Sequence, residues 1–562
     1  MSHASLMTIF KYRTIQVRES LRAAGWARVL VAGVFLAVIL AVMFGIYVFF
    51  NRSFLYLLSE PFAGPAVIMY VLELSFAAVF LLGVASFVVA AHTLLYKNDE
   101  SELLLSLPVP PQTVFAYRFA IAMLLSSWPI FVLAMPAVAA LGMTINASWA
   151  YYFSAVGALT LFTLLVAVTG GILSFLFAMV FRRISPVLAY AAEVALFIGL
   201  AIMGSSRAMT REVFVVLAAT TDAAGAAAIN RIRELFEFTP THQLVEFLTA
   251  LVPGVSEAGS VWGLVAAAAF TLALLGALTI LAWRLYLPLW QLYRERRFIA
   301  RPEDVVSTTM RVPHRFPRVF RWGHGYLFER DFLTFIRNPE EVSRAMFLLG
   351  LLVLYVFAAR GLALLQTFEK VEMFALAVAF IYAAIGYFTM TACMRFVFPS
   401  FSLEGRSAWI IWASPLHAHE VFSWKYFFWS SLTFIIMGGA AWISAALFSL
   451  PLTMTLFLLF ATACTVLAVT AIALGQGALK PNFRDDDPDT LSTSPSGLLA
   501  TAIGLAYLFI VARYVYEFSL AMSTGGLFDV TAGFGISVVT LAVVITYWML
   551  GHRSVDRLEI TS

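Results

Sequence analysis

Long apolar runs separated by short polar breaks set the architecture of this chain. The runs fall near 29–50, 65–94, 115–143, 150–180, 187–205 and 262–287, and again near 346–366, 373–399, 426–448, 453–478, 498–516 and 533–551. Each is long enough to cross a hydrocarbon layer about 30 Å thick, which takes roughly 20 helical residues. Inside a bilayer the backbone must satisfy its own polar groups, so the runs read as helices rather than open strands. The pattern predicts an all-α polytopic membrane protein of about twelve spans in two groups of six.

The two groups read as a parallel repeat. At an offset of 307, residues 108–119 lie over residues 415–426 without a gap, with Pro108/Pro415, Val114/Val421 and Phe115/Phe422 identical and Tyr117/Trp424, Arg118/Lys425 and Phe119/Tyr426 alike. The expected division is a first six-span unit over 1–287, with an external helical loop at 206–261, a cytoplasmic linker and amphipathic helix over 288–345, and a second unit over 346–562. Six spans per repeat keeps both halves in the same orientation.

Composition narrows the class. Of 562 residues, 62% are hydrophobic and 12% charged, which excludes a soluble enzyme, a disulfide scaffold and a disordered regulator. A net charge of +4 gives no basic groove for nucleic acid. Cys393 and Cys464 both lie in apolar runs without a CxxC partner, so neither zinc nor a disulfide is expected. Lys11, Arg13, Arg18, Arg22 and Arg28 precede the first long run, so the first span itself is expected to direct insertion.

Charge distribution orients the spans. With the N-terminus inside, about 28 of the 36 basic residues fall at the cytoplasmic face, as the positive-inside rule requires. Arg207, Arg211, Arg231 and Arg233 fall in the long external loop, where that rule has little force. In the same loop, the helical spacing of 241–248 follows Thr239-Pro240, a cap with proline at the first helical position. The expected location is the inner membrane of a bacterium, multi-pass, with both termini cytoplasmic.

Two cytoplasmic segments share one design. Asp99-Glu100-Ser101-Glu102-Leu103-Leu104-Leu105-Ser106-Leu107-Pro108-Val109 follows the second span, and Leu403-Glu404-Gly405-Arg406 through Pro415-Leu416 follows the eighth. Each begins acidic, continues apolar and stops at a proline, which cannot donate to a helix and restricts the residue before it. These traits predict short amphipathic helices lying along the membrane face.

On these segments, and on Leu479-Lys480-Pro481-Asn482-Phe483-Arg484 after the tenth span, the chain resembles the permeases of ABC-2-type (type V) ABC transporters. The resemblance implies a bacterial export permease with two six-span units fused in one chain. It also implies coupling helices at 98–110 and 404–417, amphipathic elements at 11–27 and 326–343, and a separate ABC ATPase, as a dimer, docking on the coupling helices. The implied coupling residues are Glu100, Glu102 and Glu404 with Arg406 for polar contact, Leu107, Val109 and Leu416 for apolar insertion, and Pro108 and Pro415 for helix termination.

Candidate chemistry is sparse. A phosphate-binding loop needs GxxxxGK[ST], and none of the lysines, Lys11, Lys97, Lys370, Lys425 and Lys480, follows a glycine. The expectation is therefore no enzyme activity and no cofactor in this chain, with ATP used by the partner. Leu474-Gly475-Gln476-Gly477 echoes part of an ABC signature but sits at the end of a span. Glu73 and Glu193 form the candidate intramembrane polar site, since a charge in hydrocarbon is costly and is kept for a reason. They also support an alternative, a proton- or sodium-coupled secondary transporter, to which the glycine pairs Gly170-Gly171 and Gly438-Gly439 add a hint. His417 and His419 lack a third ligand, and the acidic run Asp485, Asp486, Asp487 and Asp489 reads as a solvated loop.

Overall fold

The computed structural model describes residues 26–59, 64–97, 99–107, 109–181, 241–250, 261–299, 325–337, 339–359, 371–407, 418–479, 494–523 and 530–561, with single positions at 11, 14, 15, 19, 227, 230, 234, 236, 237, 481, 482, 491 and 492. The expected fifth span at 187–205, Glu193, Pro108, Pro415, Leu416, His417 and the run from Asp485 to Asp489 lie outside the described residues, as do most of 11–27 and 206–240.

Every regular element among the described residues is helical. In chain order they are α1 (Trp26–Leu58), α2 (Gly64–His92), α3 (Asp99–Ser106), α4 (Pro111–Thr144), α5 (Trp149–Phe181), α6 (His242–Thr249) and α7 (Val261–Ile299), then α8 (Gly325–Arg337), α9 (Pro339–Ala359), α10 (Val371–Ala392), α11 (Ala418–Leu447), α12 (Leu452–Leu479), α13 (Pro495–Ser523) and α14 (Val530–Thr561). Nine of these are long and apolar enough to cross a membrane, or ten with α4 taken as one span bent by 47° between Trp128 and Ile130. Pro129 sits at that bend and lacks the N–H that would bond to the Leu125 carbonyl one turn earlier. The protein is thus all-α and polytopic.

The chain divides into two compact units, one built mainly on 41–192 and 202–308 and the other on 309–562. In the first, α2 packs against α4 and α5, and α5 against α7. Gly170 lies against Phe87 and Gly171 against Phe119 and Leu278, at distances where an added Cβ would collide. These glycines let helices approach closely, the usual basis of association where lipid removes the hydrophobic drive. The glycine pair is therefore a packing device rather than a broken span.

In the second unit α12 is the central helix, buried along most of its length and flanked by α10, α11, α13 and α14. Buried hydroxyls join its neighbours: Tyr382 pairs with Thr465 at 2.5 Å, and Tyr507 with Thr540 at 2.8 Å. The Leu474-Gly475-Gln476-Gly477 run belongs to this packing. A Cβ on Gly475 would meet the Tyr547 carbonyl at 2.9 Å, one on Gly477 would strike the Phe398 carbonyl, and the Gln476 amide reaches the Tyr547 hydroxyl at 3.3 Å.

Local geometry recurs in matching places along the two units. The α4–α5 and α11–α12 connections each carry one non-glycine residue in the left-handed region, Asn146 and Ser449, both at φ 50°. In the first, the amides of Ile145, Asn146 and Ala147 bond to the carbonyls of Leu141, Met143 and Gly142; in the second, those of Phe448, Ser449 and Leu450 bond to Ser444, Ala446 and Ala445. The spacing of acceptors is the same in both, a left-handed helix stop. The second span of each unit also ends in a five-residue π turn, Thr93–Lys97 and Cys393–Val397. At the second residue of each turn a serine hydroxyl donates to the carbonyl, Ser101 to Leu94 at 3.4 Å and Ser492 to Met394 at 2.8 Å.

The amphipathic element expected at 326–343 is cut in two. It ends at Arg337, and Pro339, favourable at the first position of a helix, opens α9.

Candidate functional site

At the polar end of the second unit, three elements converge on four charges. The first is α8, whose apolar face is pinned by Phe335 against Phe396 and Trp429, with ring centroids 5.8 and 6.0 Å apart. That docking leaves Arg330 and Asp331 on the polar side. The second is the 3₁₀ turn Ser402–Ser407 after the π turn, which supplies Glu404. The third is the start of α11, where Lys425 is buried among aromatic residues, its Nζ 5.6 Å from the Phe401 ring centroid.

The charges alternate in space. Arg330 Nη2 lies 2.6 Å from Asp331 Oδ1 and 2.8 Å from Glu404 Oε1, while Lys425 Nζ lies 2.8 Å from Glu404 Oε1 and 3.6 Å from Asp331 Oδ2. Two cations and two carboxylates balance, and each partner is partly or largely withdrawn from water. Burial works against the Arg330 charge, but Asp331 and Glu404 outweigh it and hold the guanidinium above its ordinary range. Such a network is a mechanical tie: removing one member leaves a buried charge uncompensated, at a cost of about 3–5 kcal/mol where burial is deep.

The first unit builds the matching corner differently. Arg118, the counterpart of Lys425 in the repeat, is also buried, at 1% exposure. Around this end of the unit Phe115 packs on Tyr286 at 5.4 Å, and the Tyr286 hydroxyl donates to the Leu95 carbonyl at 3.4 Å. The segment after the second span forms α3, as its sequence predicts, with Glu102, Leu103 and Leu107 exposed and Val109 half-buried. Glu100 is helical in α3, and Arg406 lies in the 3₁₀ turn; their side chains are outside the described residues.

Glu404, expected to make a polar contact, is bound by Arg330 and Lys425, 74 residues before it and 21 after it in the chain. Arg330 and Asp331 are site residues that sequence reasoning misses, although a charge pair on the polar side of an amphipathic helix is a visible signal. Lys425 stands out in the sequence as the match of Arg118; the stronger signal is a lone lysine inside an aromatic stretch. Glu73, in turn, is fully buried and held at 2.6 Å by Nδ1 of His242, a partner 169 residues away that spacing does not suggest.

Comparison with known families decides the broader class: residues 26–558 match the family described as "Putative ATP-binding cassette". The chain belongs to that family. No curated protein and no solved structure matches it. Membership in the ATP-binding cassette family overturns the resemblance to ABC-2-type permeases, and with it the reading as a permease subunit driven by a separate ATPase. The physical reason is that an acidic turn, an apolar run and a proline describe any helix resting at a membrane face, so segments 98–110 and 404–417 are too generic to assign a family. Nor does the family support an ion-coupled secondary transporter.

The family description also corrects two further expectations, that the chain has no enzymatic role and that ATP belongs to a partner alone. The missing GxxxxGK[ST] excludes one kind of loop and no more than that. The described residues do not fit a phosphate cradle of that glycine–lysine kind. Such a cradle opens between a strand and a helix, whereas the described elements are helical, and the best-placed lysine, Lys425, is committed to Glu404 and Asp331.

Proposed function

We propose that the chain works within the membrane in an ATP-binding-cassette transport system, and that the corner of Arg330, Asp331, Glu404 and Lys425 is the joint between its membrane-face segments and its spans. The observation that carries this is the four-charge tie itself, which binds an amphipathic helix, a post-span turn and the head of a span at distances of 2.8–3.6 Å. A rigid helix lying at the membrane face transmits force only where it is fastened, and α8 is fastened to α11 here by charge and by the Phe335–Trp429 contact. In this reading α3, with Glu100, Glu102, Leu107 and Val109 and ending near Pro108, is the corresponding element of the first unit. Residues 404–417, with Arg406, Pro415 and Leu416, extend the element of the second. The positive-charge distribution supports a cytoplasmic location for both, in a bacterial inner membrane with both termini inside.

The test is cysteine labelling of the full chain in native-membrane vesicles. Thr334 is exposed on α8, whereas Cys393 and Cys464 are buried, so a Thr334→Cys variant reports on α8. We expect its labelling rate to change at least threefold when ATP is added. Equal rates with and without ATP would sink the proposal.

A further inference from the structure

The helix α7 is longer than a bilayer needs. It runs over 39 residues, about 58 Å of helix against a hydrocarbon layer about 30 Å thick. Two exposed indoles mark where that layer lies. Trp262 and Trp283 are 80% and 66% exposed and stand about 32 Å apart along the helix, the spacing of a pair of interfacial anchors. Between them Val265, Phe270, Leu272 and Ile280 are exposed, an apolar face suited to lipid.

Past Trp283 the chemistry changes. Arg284 is exposed, and Arg294, Arg296 and Arg297 follow on the last turns of α7 with Glu295 as the one acid among them. The sequence continues in the same way, with nine arginines from 284 to 321 against Glu295, Glu303 and Asp304, and no lysine. The end of the second unit is the contrast: after Trp548, Arg553 and Arg557 of α14 are balanced by Asp556 and Glu559. Packing holds the root of the basic stretch in place, since Tyr286 and Leu289 are buried and the Tyr286 ring lies 5.4 Å from Phe115 and 6.5 Å from Tyr96. The three later arginines are therefore carried at most about 16–21 Å from Trp283 along the helix. The headgroup layer takes up about 6 Å of that and the long arginine stem part of the rest. What remains is within about 8–10 Å, the range over which charge acts in physiological salt.

We propose that Arg284, Arg294, Arg296 and Arg297 form a docking surface for anionic lipid, which gathers acidic phosphate headgroups around the Trp283 end of α7. Arginine suits this partner because its planar fork takes two oxygens of a phosphate at once and it stays charged. Cations clustered just past a span attract acidic headgroups, and salt weakens the attraction. The surface depends neither on ATP nor on the joint at Lys425, so the two stand or fall separately.

The experiment uses the full chain in phosphatidylcholine nanodiscs that contain, at equal low content, either phosphatidylglycerol or phosphatidylcholine carrying a nitroxide quencher high on the acyl chain. A fluorophore on Ile280→Cys, one turn before Trp283, reads the local lipid, and one on Val265→Cys, near Trp262, is the reference; Cys393 and Cys464 are buried and do not compete. We expect the phosphatidylglycerol quencher to act at least twofold more strongly than the phosphatidylcholine quencher at Ile280, and equally at Val265. The excess is expected to fall by at least half in 0.5 M NaCl, and likewise when Arg294→Gln, Arg296→Gln and Arg297→Gln are combined. Equal quenching by the two lipids at Ile280 in the otherwise unchanged chain would overturn the proposal and leave the arginines to an acidic protein. So would an excess of the same size at Val265, or one that survives the loss of the three arginines.

Discussion

Replacing Lys425 by methionine removes the cation that is most deeply buried in the corner while keeping its length and apolar stem. The loss breaks contacts of 2.8 Å to Glu404 and 3.6 Å to Asp331, and converts a balanced group of two positive and two negative charges into one with a net charge of −1. Opposite charges about 4 Å apart attract by about 4 kcal/mol at the effective dielectric of a protein surface. Removing a partner of a deeply buried pair costs about 3–5 kcal/mol. Arg330 still binds both carboxylates, but its side chain is 35% exposed and water screens it, so we place the cost at about 2–3 kcal/mol. The assay is a double-mutant cycle with Glu404→Gln, in which unfolding is followed by titrating mixed micelles with a denaturing detergent. A coupling energy of about 1.5–3 kcal/mol is expected, because the second substitution removes the orphaned charge left by the first. Additivity within about 0.5 kcal/mol would refute the reasoning, since it would mean that the two groups act independently.

Two further outcomes test the packing and the repeat. Gly477→Ala places a Cβ against the Phe398 carbonyl and is expected to lower stability by about 2 kcal/mol, as overpacking does, while Gly157→Ala, with open space around it, changes stability by less than about 1 kcal/mol; thermal unfolding of both in detergent makes the comparison. Ser449→Gly relieves a left-handed residue at φ 50° and is expected to raise stability by about 1 kcal/mol in the same assay, whereas Ser449→Val lowers it.

The spans are legible in the sequence because each is a long apolar run, and a bilayer leaves a run of that kind only one conformation. The helix at Asp99–Ser106 is legible for a similar reason, since its acidic start and terminating proline act locally. Pro339 carries an equally local signal, a helix start in the middle of 326–343, and it is what separates α8 from α9. The ionic contacts are not legible. Glu404 meets Arg330 across 74 residues and Glu73 meets His242 across 169, and no periodicity connects positions so far apart. Only the packing of α8 through Phe335, and of α6 through Leu244 and Leu248, brings these charges together. The family is not legible either, because the segments that suggest one reflect the chemistry of a membrane face, which many proteins share.

The most direct test of the joint is the labelling of Thr334→Cys with and without ATP, measured in parallel in the otherwise unchanged chain and in one that also carries Glu404→Gln. A change of at least threefold with ATP is expected when the four-charge tie is intact, and no change when Glu404 is neutralised. An ATP response of equal size in both chains would contradict the joint.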